Sequence, residues 1–125
     1  MNAVPADAEL DAMNAVLRAL AHDVRLRLML TLLEQGEKSV GELETLTGVG
    51  QPGLSQQLAI LRKAELVQTR RDAKLVIYSL MPETMQGTAK LLCALSGFAP
   101  QGAPPGVKGS GSRVRGSAAA FARIL

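Results

Sequence analysis

Apolar residues along most of the chain recur at helical spacing. Leu10, Met13, Leu17 and Leu20 predict a first amphipathic helix after a loose leader over residues 1–9. A second helix is expected to start near Asp23, whose carboxylate suits the positive end of a helix, and to stop at Gly36. Leu26, Met29, Leu30 and Leu33 nearly encircle it, the pattern of a central buried helix. Ser39-Val40-Gly41-Glu42 has the form of a capping box, in which the hydroxyl caps the helix and the carboxylate reaches back. It opens a short third helix with Val40, Leu43 and Leu46 facing inward. Thr47-Gly48-Val49-Gly50 then forms a turn, and Gln51-Pro52 opens a fourth helix, where the missing proline N–H is harmless. Leu54, Leu58 and Leu61 are its buried stripe.

After this helix the pattern changes. Residues 66–70 and 75–80 are β-prone and flank Arg71-Asp72-Ala73-Lys74, which predicts a hairpin with its tip at residues 71–74. Pro82 opens a last helix with Met85, Ala89, Leu92 and Leu95 on one side, ending near Gly97. Residues 99–117 are rich in Pro, Gly and Ser, the composition of a flexible tail, and residues 118–125 have the composition of a weak terminal helix.

The expected organisation is therefore a leader (1–9), one folded domain (10–97) and a flexible basic tail (98–125). The fold class is mainly α with a small β-hairpin. A short helix, a glycine-bearing turn and a second helix followed by a two-stranded ribbon make a winged helix-turn-helix. The apolar stripe of the first helix has little to bury against in so small a domain. Leu10, Met13 and Leu17, with Met85, Leu92 and Leu95 of the last helix, are expected to join two copies in a symmetric dimer.

Composition narrows the picture further. A chain of 125 residues suits one domain. Its only aromatic residues are Tyr78, Phe98 and Phe121, so the core must be aliphatic, which favours helices. No apolar run approaches the ~18 residues of a membrane span, and the start lacks a signal-peptide pattern. A single cysteine, Cys93, cannot form an internal disulfide. Together these point to a cytoplasmic protein with no membrane partner. The net charge of +3 is misleading, because residues 1–97 hold ten Lys and Arg against eleven Asp and Glu. The excess lies in Lys108, Arg113, Arg115 and Arg123. Local clustering of Arg62, Lys63, Arg70, Arg71 and Lys74 is the better sign of nucleic acid.

In a helix-turn-helix the second helix enters the major groove. Opposite its buried stripe stand Pro52, Gln56, Ala59 and Lys63, with Ser55 at the margin. Gln56 is the first choice for a base contact, since glutamine can pair with adenine, and Ser55 is the second. Gln51 and Gln57 share the polar surface, and Arg62 and Lys63 lie nearer phosphates. Arg70, Arg71 and Lys74 would grip the backbone or minor groove beside the helix. Each group alone also suits a solvated helix or hairpin; together they favour double-stranded DNA, with a palindromic operator to match a twofold dimer.

Four segments carry a family resemblance: residues 20–26 (Leu-Ala-His-Asp-Val-Arg-Leu), residues 39–43 (Ser-Val-Gly-Glu-Leu), residues 51–58 (Gln-Pro-Gly-Leu-Ser-Gln-Gln-Leu) and residues 70–74 (Arg-Arg-Asp-Ala-Lys). In order and spacing they resemble the ArsR/SmtB family of bacterial repressors over residues 10–97, and most resemble its BigR and HlyU branch. The resemblance implies a homodimer through the first and last helices, with DNA binding tuned by a signal. It also implies sensor positions that are altered here. The arsenic-type thiol positions hold Ser39 and Gly41, and the last helix has no His and one acid, Glu83. The dithiol positions of the BigR and HlyU branch align with Leu30 and Gly97, with Cys93 one turn before the second. Ala73 stands where the family's wing often has Gly, which predicts a differently shaped tip.

No metal site or cofactor is therefore expected. His22 is read as structural at the start of the second helix, and Met13, Met29, Met81 and Met85 as core or interface fillers. Cys93 is either a small apolar packing residue or the reactive thiol of a redox- or sulfur-responsive repressor. A winged-helix protein-interaction module is a further alternative. Enzymatic chemistry is not expected, because no nucleophile–base pair or phosphate-binding glycine motif is visible.

Overall fold

The computed structural model describes residues 6–98. The expected tail over 99–117, the terminal helix over 118–125 and residues 1–5 of the leader lie outside them. The described residues form helices α1 (Asp7–Leu20), α2 (Asp23–Gln35), α3 (Val40–Thr47), α4 (Gly53–Lys63) and α5 (Gln86–Ser96) and a small sheet of β1 (Lys38–Ser39), β2 (Val67–Asp72) and β3 (Leu75–Leu80). The sheet is antiparallel in the order β1-β3-β2. A 3-10 turn at Pro82–Met85 leads into α5.

Local signals account for most boundaries. Ser39 Oγ accepts from the Glu42 N–H at 3.2 Å, and Glu42 Oε1 accepts from the Ser39 N–H at 2.9 Å, completing the capping box. These bonds favour the charged carboxylate, so the Glu42 pKa is lowered, chiefly by the Ser39 backbone N–H. Gly36, Gly48 and Gly97 follow α2, α3 and α5 with positive φ, the conformation glycine adopts without a Cβ penalty. α1 already starts at Asp7, before the expected Leu10, helped by Glu9 Oε1 accepting from the Ala6 N–H at 3.0 Å. Pro52 stands one residue before α4, as its N-cap.

His22 has the structural role expected of it. Its Nδ1 accepts from the Val24 N–H at 3.1 Å, capping α2, while Asp23 pairs with Arg27 at 3.6 Å. Replacing His22 with alanine should cost about 0.5–2 kcal/mol, the usual worth of an N-cap, and His22→Asn should recover most of it. A urea midpoint unchanged in His22→Ala would show that water replaces the imidazole without loss.

The core is aliphatic. Leu28, Leu43, Leu54, Leu58, Leu61 and Leu66 have 0% exposure, and Val16, Ala19, Met29, Leu32 and Val67 join them. α2 differs from expectation: Leu26 and Leu33 are exposed, and only the side bearing Leu28, Met29 and Leu32 is buried. α2 meets α1, α3, α4 and β3, and Leu26 and Leu33 stay uncovered among the described residues. Leu46, expected inside, is also exposed, because Val40 and Leu43 fill the inward side of α3. On α1 the buried residues are Val16 and Ala19; Met13, Leu17 and Leu20 are half-buried and Leu10 is exposed.

The hairpin is tighter than expected. Asp72 pairs with Leu75, leaving the two-residue loop Ala73-Lys74. Ala73 has φ 59, the left-handed conformation that a glycine would adopt more readily. A Cβ there costs about 1–2 kcal/mol, partly offset by the lower unfolded-state entropy of alanine. Ala73→Gly should therefore raise stability by about 0.5–1 kcal/mol; a lower thermal midpoint would contradict this account.

Candidate DNA-binding interface

The interface begins with α3, whose end at Gly48 turns the chain toward α4. Thr47 Oγ1 accepts from the Val49 N–H at 3.2 Å, and the half-buried Val49 packs on the core, so the turn is held from within. Leu54, Leu58 and Leu61 then seat α4 on α1 and α2. With one side of α4 fixed inward, the helical period turns Gln56, Ala59 and Ile60 to the exposed side. The side-chain amide of Gln56 has no hydrogen-bond partner among the described residues.

The polar residues expected along α4 divide into three groups. Gln51 Oε1 accepts from the Ser55 N–H at 3.1 Å and from Ser55 Oγ at 2.7 Å. Gln51 thus satisfies an orphan donor of the first turn that Pro52 cannot, and the Ser55 hydroxyl proton is already used. Gln57 is half-buried and turned inward, its Oε1 accepting from Arg25 Nη1 at 2.7 Å. That position does not match the DNA-facing role expected of it. Lys63, at the far end of α4, lines a groove of about 850 Å³ between α1 and α5, in company with Glu9, Met13 and Lys90. Arg62 is exposed beside it. Ile60, one turn beyond Gln56, is 42% exposed and was not among the residues singled out in the sequence.

The cations of the hairpin are also divided. Arg70 forms a two-pronged pair with Glu37, Nε to Oε1 and Nη2 to Oε2, both at 3.1 Å, and lies 3.8 Å from Asp72. The Arg70 hydrogen bond, with its charge, holds the Glu37 carboxyl below the usual range. This pair ties the hairpin to the turn before β1, and the Arg70 side chain stays 54% exposed. Arg71 points to the opposite face of β2, since side chains alternate along a strand. Arg71 and Lys74 are exposed and make no ion pair among the described residues.

The expected dimer residues lie on α1 and around α5. Met13, Leu17 and Met85 are half-buried; Leu10, Leu92 and Leu95 are 41%, 47% and 74% exposed. Cys93 is half-buried on α5. Leu30 is half-buried on α2, and Gly97 ends α5. Among the described residues no cluster of three or more His, Cys, Asp or Glu could hold a metal ion, and no helix is long and apolar enough to cross a membrane.

A seated second helix with a polar outer face, followed through residues 64–66 by a basic-tipped hairpin, defines a winged helix-turn-helix DNA-binding regulator. Residues 22–69 match the model of the bacterial regulatory protein arsR family. The biofilm growth-associated repressor of Xylella fastidiosa is 51% identical over 80 residues, 64% of this chain and 67% of that protein. The crystal structure of the transcriptional repressor BigR from Xylella fastidiosa aligns with a TM-score of 0.58 at 39% identity, over 76% of this chain and 94% of that one. The homodimeric winged helix-turn-helix DNA-binding domain of Mb0332 from Mycobacterium bovis aligns with a TM-score of 0.58 at 29% identity, over 76% and 91% of the two chains. The chain belongs to the ArsR family of bacterial transcription regulators.

Proposed function

We propose that this protein is a dimeric cytoplasmic repressor that occupies a palindromic operator, reading bases with Gln56 and holding phosphates with Arg71 and Lys74. The observation that carries this reading is the exposure of these three side chains, each without a partner among the described residues, on α4 and the wing that follows it. Ala59 is small enough to let α4 approach the groove closely. The Gln51–Ser55 pair presents the Gln51 amide N–H groups and a Ser55 lone pair at the start of the helix. Arg62 is a third phosphate ligand, from the end of α4. The repressor and dimer readings draw on the relatives whose names carry those words.

The test is selection of duplexes from a random pool by wild type, Gln56→Ala and Lys74→Ala. Gln56→Ala should relax choice at one position per half-site by about 1–3 kcal/mol. Lys74→Ala should weaken all duplexes alike and lower the salt slope by about one unit. Unchanged affinity and preference in Gln56→Ala would place the reading face elsewhere.

A further inference from the structure

Arg25 stands half-buried on α2, away from the outward face of α4, yet its guanidinium meets acceptors on two other helices. Nε donates to the Ala19 carbonyl, Nη2 to the Arg18 carbonyl at 3.3 Å, and Nη1 to Gln57 Oε1 at 2.7 Å. Arg18 and Ala19 lie in the last turn of α1, where the helix dipole is negative and carbonyls run short of helical donors; the Arg18 carbonyl also accepts from the Ala21 N–H at 3.3 Å. A cation with a rigid fork of donors satisfies both conditions. Gln57 follows Gln56 in sequence and lies about 100° from it around α4. A roll of α4 that moved Gln56 would therefore pull Gln57 off Arg25.

We propose that Arg25 is a positioning residue for DNA reading: through Gln57 it fixes the roll of α4 and couples it to the C-terminal end of α1. Gln57 then acts through Arg25 and not on DNA. A paired contact to a base edge tolerates misplacement of only about 0.5 Å and 10–20°. Leu54, Leu58 and Leu61 supply nondirectional packing; the Arg25–Gln57 bond adds the directional constraint that sets the roll. The inference rests on α4 being the reading helix, so Gln56→Ala is carried through the same experiment.

Affinity for the selected duplex is measured by fluorescence anisotropy at a temperature where unfolding curves show each variant folded. Gln57→Glu should bind within about threefold of wild type, because its carboxylate accepts from Arg25 at least as well. Gln57→Ala should lose about tenfold or more, the scale of a lost charged hydrogen bond. Arg25→Lys should lose as much, since it keeps the charge but lacks the fork. The double variant Arg25→Lys with Gln57→Ala should lose no more than the worse single variant, because both remove one linkage. Strong loss in Gln57→Glu with none in Gln57→Ala would place Gln57 against DNA and overturn the proposal. Full affinity in Arg25→Lys, or lowered unfolding midpoints with unchanged affinity, would also overturn it. A silent Gln56→Ala would remove the reading helix itself, and the clamp with it.

Discussion

Leu58→Ala should destabilise the protein by about 2–5 kcal/mol, the range for truncating a buried leucine. Leu58 has 0% exposure and sits mid-way along the inward side of α4, between Leu54 and Leu61, which also have 0% exposure. Truncation loses the transfer free energy of the removed carbons and leaves a cavity. Collapse around that cavity is limited because α4 is held at both ends, by Gln51 on the first turn and by the link into β2. Typical domains have about 5–15 kcal/mol in hand, so the variant should be marginal at physiological temperature. Urea unfolding should show a lower midpoint with an unchanged slope. The control is Ile60→Ala on the same helix, 42% exposed, where the change should stay near the ~0.5 kcal/mol of surface substitutions. Equal losses at the two positions would mean that the inward and outward sides of α4 are wrongly assigned.

That assignment is legible in the amino-acid sequence, and the reason is its locality. Capping boxes, glycine stops and a leucine stripe at helical spacing act over a few residues, so Ser39, Gly48 and Leu54 could be placed from their neighbours alone. Pairings between distant segments could not. Arg70 resembled Arg71 in the sequence, and Glu37, its partner, lies 33 positions away. Gln57 resembled Gln56, and Arg25 is 32 positions away. In each case identical neighbours divide into one side chain bonded to a distant residue of the protein and one with no such partner among the described residues. β1 was illegible for another reason: two residues are too few to show an alternating period. The all-round apolar pattern of α2 suggested complete burial, but Leu26 and Leu33 are uncovered in the protomer. His22 stands between these cases. A lone imidazole just before a helical run suggested structure, while the identity of its partner, the Val24 N–H, required the fold.

The largest effect on DNA binding is expected from Leu92→Glu, through dimerisation. Leu92 is 47% exposed on α5, so a carboxylate there stays solvated in the isolated protomer and should disturb its folding little. In the proposed dimer the same position becomes buried against a second copy, where an unpaired charge is strongly unfavourable. Leu10 on α1 and Leu95 on α5 are similarly exposed, and burying each leucine fully would contribute about 1.5–3 kcal/mol. α1 meets α5, with Met13 Cε 3.5 Å from where a Cβ on Gly87 would stand, so the exposed leucines of both helices lie on neighbouring elements. Two linked reading helices gain affinity because the second half-site is bound intramolecularly, an advantage of about 10²–10⁴. Leu92→Glu should therefore sediment as a monomer at micromolar concentration and lose at least about a hundredfold in affinity for the full operator. Its affinity for an isolated half-site should remain close to wild type, since α4 and the wing are untouched. Leu46→Glu, on an equally exposed leucine of α3, should keep the dimer mass. A dimer that survives Leu92→Glu with operator affinity intact would move the interface away from α5.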